Sequence, residues 1–499
     1  MIILSKNPIN LNFKKNFFYI IYFLTFLLIY LRTEILFGSD VIAPYTDDFY
    51  YYLITAKNFI ELGFPTFDTI NLTNGFQPLW FLFIVVLTYF FGDGIIFNSA
   101  IFLVIGLFSL LVFFESKKYL IKQGYSEDAS LFIGSFISFL TIFFSKGGME
   151  IALVNYFIIL SLSFSNKNPL IFGVFLFLTL LSRLDAIWII TFLLLNYFII
   201  NYKKNLFGLL LFPLLTLSYI ILNYLIFGSF IPDSGVAKSL NKTLTFNPET
   251  FNFLYIQDSY GYKFISILFL LNVASILLLF FKVKRESYIF IFSIIIFFIT
   301  HSLRSSWKLW DWHFYYFSFS TPFILYEFLK IFKNHFRYFY YCTGIFFVVT
   351  FSFLLFKDYN LSNDHMLNLS KKISNYYKNQ NNYNIFAMGD MAGKVSFLLK
   401  KPVIQLEGLV SGNIIIEMID KQKSLCDIFK KFKVDVYLTN TVVKNNLNFE
   451  VYEPAQAGKN GKKVLAFIKG EPEQIFNSGS LIVYSFNFKK NNSCISYLK

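Results

Sequence analysis

Residues 46–80 read TDDFYYYLITAKNFIELGFPTFDTINLTNGFQPLW, and the fold turns on how this stretch is read. It stands between segments apolar enough to cross a membrane, yet it opens on the adjacent carboxylates Asp47 and Asp48 and carries Asn-Gly and Gly-Phe turn signals. Two acids at the end of a membrane span, followed by a short amphipathic helix over 49–62, pack poorly against lipid and suit reactive chemistry. The next segment, 78–91, is 14 residues long. That is short of the ~20 a span requires, and with Trp80 near its start it reads as a helix lying in the outer interface.

Working outward, Lys14 and Lys15 precede an apolar run over 17–31 that lacks a following small-residue cleavage site. This pattern reads as a retained signal anchor whose N-terminus is cytoplasmic. With 56% hydrophobic and only 15% charged residues in 499, an ordinary soluble domain is excluded and a polytopic membrane protein is expected. The net charge of +14 must therefore be sorted by membrane side before it is read as nucleic-acid affinity.

Sorting it gives about 11 transmembrane helices, at 16–37, 95–115, 129–145, 150–165, 168–182, 186–201, 206–227, 264–281, 287–301, 315–332 and 338–356. On this count the lysine- and arginine-bearing turns fall on one side, including Lys117, Lys118 and Lys122, Lys167, and Lys203 with Lys204. The acid-bearing loops fall on the other. Counting 78–91 as a span would invert every later loop.

Beyond residue 357 the apolar runs shrink to strand length in NIFAMGD, PVIQLEG, VDVYLTN, KVLAFI and SLIVYSFNF, with one helical stretch over 413–432. The expected organisation is a membrane module over 1–357, with its outer-face loop at 38–94, and a small extracytoplasmic α/β domain over 358–499. Three cysteines, Cys342, Cys426 and Cys494, are too few for a disulfide framework, and the four histidines lack zinc-ligand spacing.

Adjacent carboxylates admit three uses: to solvate a span end, to hold a hard divalent cation such as Mg2+ or Mn2+, or to serve as a general base. The aromatic run Phe49 to Tyr52 sets them against an apolar surface, which raises carboxyl pKa values. Glu150 in SKGGMEIAL and Asp185 in SRLDAIW add acids on the same face, each of which could equally serve a helix N-terminus. Arg183, Lys238 in FGSFIPDSGVAK, and Arg304 with Lys308 in HSLRSSWKLWDWHFYY supply cations suited either to a phosphate or to snorkelling.

The order DDFYYYLITAKNFIELG, TNGFQPLW, GGMEIAL, LLSRLDA, FGSFIPDSGVAK, then GD- and LEGL-containing stretches, resembles membrane glycosyltransferases of the GT-C class that use polyprenyl-phosphate sugar donors. The resemblance covers most of the chain. It implies transfer of a sugar, with inversion, from a polyprenyl-phosphate-linked donor to an extracytoplasmic acceptor: a cell-envelope glycan, a glycolipid or a protein. It also implies a multi-pass protein of the plasma membrane with its site on the outer face. The acid of the first outer loop is the base in that class, which falls on Asp47 with Asp48 beside it, and Glu150 matches an acid of the second outer loop. Adjacent acids take the place of a spaced DxD, so an optional cation on Asp47 and Asp48 stays open.

The chemistry fits: one carboxylate takes the acceptor's proton, while the departing phosphate is already a stable anion and needs cations around it rather than a second acid. The competing reading is a transporter or flippase, or a polymerase, of lipid-linked saccharides. A transporter would place ionisable groups at mid-span and Gly or Pro breaks in paired helices, whereas Pro213 has no partner break.

Overall fold

The computed structural model describes residues 45–201, 207–240, 244, 246–255, 260–278, 285–305, 307–330, 365–445, 448–453, 465–478 and 481–495. The expected spans at 16–37 and 338–356 lie outside these residues.

The chain begins with helix α1 over Asp47–Leu62. Its first-turn acids complement the helix dipole, and Gly63, at φ 82°, closes it by donating to the Phe59 carbonyl. The expected amphipathic character applies only to its second half. Every residue from Phe49 to Ala56 is buried, because the helix is enclosed on all sides. Helix α2, Pro78–Phe91, starts with proline at its first turn and ends at Gly92. Trp80, Ile84 and Thr88, four apart, face inward, whereas Leu82, Val86, Tyr89 and Phe90 leave an apolar outer face exposed. Its 14 residues extend about 21 Å, less than a bilayer core of about 30 Å.

Helices α3 (Ile95–Lys122), α4 (Glu127–Ser145), α5 (Ile151–Phe164), α6 (Pro169–Ser182), α7 (Ile187–Asn201) and α8 (Leu211–Phe227) follow. After α9 (Asp233–Ser239) come α10 (Tyr260–Leu278), α11 (Arg285–Arg304) and α12 (Phe317–Lys330). Among the described residues, four helical segments are long and apolar enough to cross a membrane: Ile95–Lys122, Glu127–Ser145, Leu184–Asn201 and Phe207–Phe227. Shorter apolar helices accompany them, including Ile151–Phe164 and Pro169–Ser182. Ser and Thr side chains inside these helices return their hydroxyls to carbonyls one turn back, as Ser109, Thr141 and Thr179 do, so they cost little in an apolar setting.

The C-terminal part opens with α13 (His365–Tyr377). It holds a five-stranded sheet of order β2-β1-β3-β8-β7, formed by Val403–Gln405, Phe386–Met388, Val436–Thr439, Ile482–Asn487 and Glu473–Asn477. The first three strands pair in parallel and the last two antiparallel. A second, antiparallel sheet, β4-β5-β6-β9, joins Val442–Asn445, Asn448–Tyr452, Leu465–Lys469 and Ser493–Ile495.

The single helical stretch expected over 413–432 is two helices, Gly412–Asp420 and Leu425–Lys431. Gln422 turns left-handed at φ 52°, and Ser424 starts the second helix with a capping box closed by Asp427. Cys426 and Cys494 form a disulfide that ties this second helix to β9, so the cysteines do more than their number suggested.

One apolar core crosses the expected boundary at residue 357. Leu369, Tyr377, Val395 and Leu409 belong to the same cluster as Phe49, Trp80 and Ile151, and the Tyr50 and Phe397 rings meet at 5.1 Å.

Candidate active site

The motifs that stand apart in sequence meet around the start of α1. The Thr46 amide donates to the Gly147 carbonyl at 3.0 Å, and the Trp80 indole donates to the Gly148 carbonyl at 3.1 Å. Gly148 has φ 82° and lies under the Phe49 ring, so only glycine fits there. Gln77 holds the Arg183–Asp185 turn by accepting from the Leu184 amide at 2.9 Å. The TNG turn grips the start of α9: the Thr73 hydroxyl donates to Asp233 at 2.8 Å, and the Asp233 amide donates to the Asn74 side chain at 2.8 Å. Gly75 rests directly on the Leu409 carbonyl of the LEGL loop, leaving no room for a Cβ. Gln77, Asn74 and Asp233 add to the expected site residues; the Asn-Gly turn signal marks Asn74, and the quoted motifs TNGFQPLW and FGSFIPDSGVAK contain the other two.

These contacts enclose a cavity of about 430 Å³ whose wall includes Asp48, Glu150, Arg183, Asp185, Lys238 and Arg304. Six of the eight expected site residues therefore converge. Asp47 and Lys308 do not line it.

Asp47 and Asp48 diverge, as neighbours ~100° apart on a helix must. The Asp47 carboxylate turns to the C-terminal part and accepts two backbone amides at the start of α14 (Ala392–Leu399), from Gly393 at 3.0 Å and Lys394 at 2.7 Å. Burial still raises its pKa, with those amides working against the shift. Asp48 faces the cavity. Burial pushes its carboxyl up to about 7, opposed by Lys238 and helped by Asp47, Asp390 and Glu150. Burial conversely lowers the Lys238 pKa, with Asp48 working against that shift.

Arg183 is engaged on every side. Its Nη1 donates to Glu150 at 2.5 Å, while its Nε and Nη2 form a two-pronged pair with Asp185 at 2.8 and 2.9 Å. The Tyr52 hydroxyl donates to the other Glu150 oxygen, Tyr315 donates to the Asp185 carboxylate, and Tyr316 donates to the Asp185 main-chain carbonyl. Burial disfavours the guanidinium charge, but Asp185 and Glu150 more than offset it and keep Arg183 charged. Arg304, by contrast, is exposed and has no ion pair or hydrogen bond with the described residues, and it is held at the cavity rim by the last turn of α11. Lys308 sits 4.0 Å from the Trp310 ring centroid, a cation–π contact. His313, unassigned from sequence, lies in the cavity wall and is kept neutral by burial and by Arg183 and Lys238.

The expected optional cation does not fit Asp47 and Asp48. Both oxygens of Asp47 are occupied by amides, and among the described residues no group of three His, Cys, Asp or Glu side chains could hold an ion.

The sequence matches no protein-family model and no curated protein. Solved structures do match. The crystal structure of ArnT from Cupriavidus metallidurans bound to undecaprenyl phosphate aligns at a TM-score of 0.54 and 12% identity, over 93% of this chain and 97% of that one. The apo structure of the same protein aligns at 0.55 and 12% identity, over 95% and 98%. This chain has the ArnT fold. The match bears out a polytopic helical membrane protein, and it spans nearly all of both chains. At this identity the likeness to ArnT speaks for the fold, and the chemistry has to be argued from the cavity.

Proposed function

We propose that this protein is a membrane glycosyltransferase that moves a sugar from a polyprenyl-phosphate-linked donor to an acceptor hydroxyl with inversion. The observation that carries the reading is the opposition of Asp48 and Lys238 across a cavity in which the remaining buried cation, Arg183, is already neutralised by two acids. Asp48 takes the acceptor's proton as the acceptor oxygen bonds the anomeric carbon. The bond from that carbon to the phosphate oxygen breaks on the opposite face, and the phosphate leaves as an anion. Lys238, with Arg304 at the rim, stabilises the charge gathering on that phosphate.

Asp48 thus takes the place of Asp47 as the base expected from the motif order, because the Asp47 carboxylate is anchored by two amides of α14 and does not line the cavity, whereas Asp48 does. A lipid-linked donor is supported by a likeness to a protein solved with undecaprenyl phosphate and by apolar helices beside the cavity. A plasma-membrane location with the site on the outer face follows from the charge sorting of the loops, and the Cys426–Cys494 disulfide suits an oxidising compartment. The acceptor belongs to the same side: an envelope glycan, a lipid or a protein.

The test is sugar transfer from a polyprenyl-phosphate donor by the purified protein in lipid, with donor binding measured alongside. Asp48→Asn should lose ~10² to 10⁴ in rate and keep donor binding. Full activity in that variant would overturn the assignment.

A further inference from the structure

A second hollow, of about 160 Å³, lies at the other end of the helix bundle. Helix α3 relates the two sites. Its first turn adjoins the catalytic end, where the Tyr45 hydroxyl donates to the Asn98 carbonyl at 2.8 Å. Its 28 residues then run about 42 Å to Lys122, far enough to cross to the opposite membrane surface.

The hollow is lined by Glu115, Lys118, Tyr119, Lys122, Ser163 and Lys167 among others. Three ammonium groups thus share it with one carboxylate, which Lys118 already engages at 3.2 Å. Lys122 and Lys167, from α3 and from the turn after α5, both line this hollow. Three ammonium groups around one small hollow that holds a single carboxylate leave positive charge that an anion would offset. The turn that carries Lys167 is not free to move it away. The Lys167 amide bonds the Phe164 carbonyl, Asn168 caps α6 through the Leu170 and Ile171 amides, and Asn201 donates to Asn166. The Lys167 ammonium also rests 4.7 Å from the Phe164 ring centroid. In the wall of the hollow, the Ser163 hydroxyl is buried with no hydrogen-bond partner among the described residues. Phe114 and Ile121, next to the lining residues Glu115 and Lys122 in sequence, and Leu170 on the first turn of α6 are exposed apolar side chains. Acyl chains have a surface to lie on within reach of the lysines.

We propose that this hollow is a binding site for the phosphate of an anionic membrane lipid, its headgroup held between Lys122 and Lys167 on the face of the membrane opposite the cavity. Such a site would anchor the turn between α5 and α6, and with it the helices that carry Glu150 and Arg183 at their far ends. It does not depend on the reaction assigned to the cavity.

The test uses the full chain in detergent, titrated with phosphatidylglycerol or phosphatidylcholine and read by native mass spectrometry. The wild type should retain phosphatidylglycerol in preference to phosphatidylcholine. Lys122→Gln with Lys167→Gln should weaken that retention roughly tenfold or more, since each lysine near an anionic surface contributes severalfold. The equal charge change Lys430→Gln with Lys431→Gln, at two exposed lysines ending the helix Leu425–Lys431 of the C-terminal part, should leave it unchanged. Undiminished retention in the first pair, or an equal loss in the second, would overturn the site. Inorganic phosphate at millimolar concentration should fail to displace the lipid; displacement would assign the hollow to a free phosphate and contradict the lipid reading.

Discussion

Two walls of the same cavity are built on opposite plans. On one, Arg183 meets Glu150 and Asp185, the Tyr52 and Tyr315 hydroxyls donate to those two carboxylates, and Tyr316 donates to the Asp185 main-chain carbonyl. On the other, Asp48 and Lys238 line the cavity without a hydrogen bond between them, and each is pushed by burial toward its neutral form. A polar network with every group satisfied holds shape, whereas groups left unsatisfied in a shielded space are available to substrate. The comparison assigns stability to the first wall and chemistry to the second.

Removing Arg183 should break the molecule rather than the reaction. Arg183→Met strands Glu150, which is 1% exposed, beside Asp185, and losing one partner of a buried ion pair costs about 3–5 kcal/mol. Thermal unfolding of the purified variant should fall accordingly. A stable but inactive Arg183→Met would move Arg183 to the chemical wall.

Lys238→Met should do the reverse, lowering transfer by ~10² to 10³ as a lost transition-state donor does, with unfolding close to wild type. Comparison of kcat and melting temperature in the two variants separates the walls.

Asp47 stands between the plans, being a carboxylate used as an anchor. Asp47→Asn puts an NH2 where one amide N–H now finds an acceptor, so it should loosen α14 from α1 by about 1.5–3 kcal/mol. Faster proteolysis near residues 389–394 with less than a tenfold loss of rate is the expected outcome. Lys308→Ala should do least. Its contact is an exposed cation–π pair worth about 0.5–1 kcal/mol, and donor affinity should stay within twofold of wild type.

The sequence carried the architecture through its periodicities and the site through its motifs, since most of the quoted motifs supply a cavity residue or a turn that grips one. It could not say which aspartate faces the cavity. That depends on amides at Gly393 and Lys394, 346 and 347 residues away, and adjacent acids on a helix look alike until the partner surface is known. The pairing of Arg183 was hidden for a related reason. A cation near a phosphate site and a cation sealed by two acids have the same signature in one dimension. In the C-terminal part, strands such as Val442–Asn445 and Glu473–Asn477 escaped because exposed lysine, asparagine and glutamate interrupt their apolar alternation.

The central claim, that Asp48 is the base, is tested most directly by the pH dependence of kcat/KM for sugar transfer. A base works deprotonated, so the rate should rise with pH through an apparent pKa of about 7, set by the burial of Asp48 among Lys238, Asp47, Asp390 and Glu150. Because Lys238 holds that pKa down, Lys238→Met should move the limb to higher pH, whereas Asp47→Asn, which removes a neighbouring negative charge, should move it lower and leave it intact. Asp48→Asn should abolish the limb along with most of the rate. A limb that survives in Asp48→Asn and disappears in Asp47→Asn would contradict the account and return the base to Asp47.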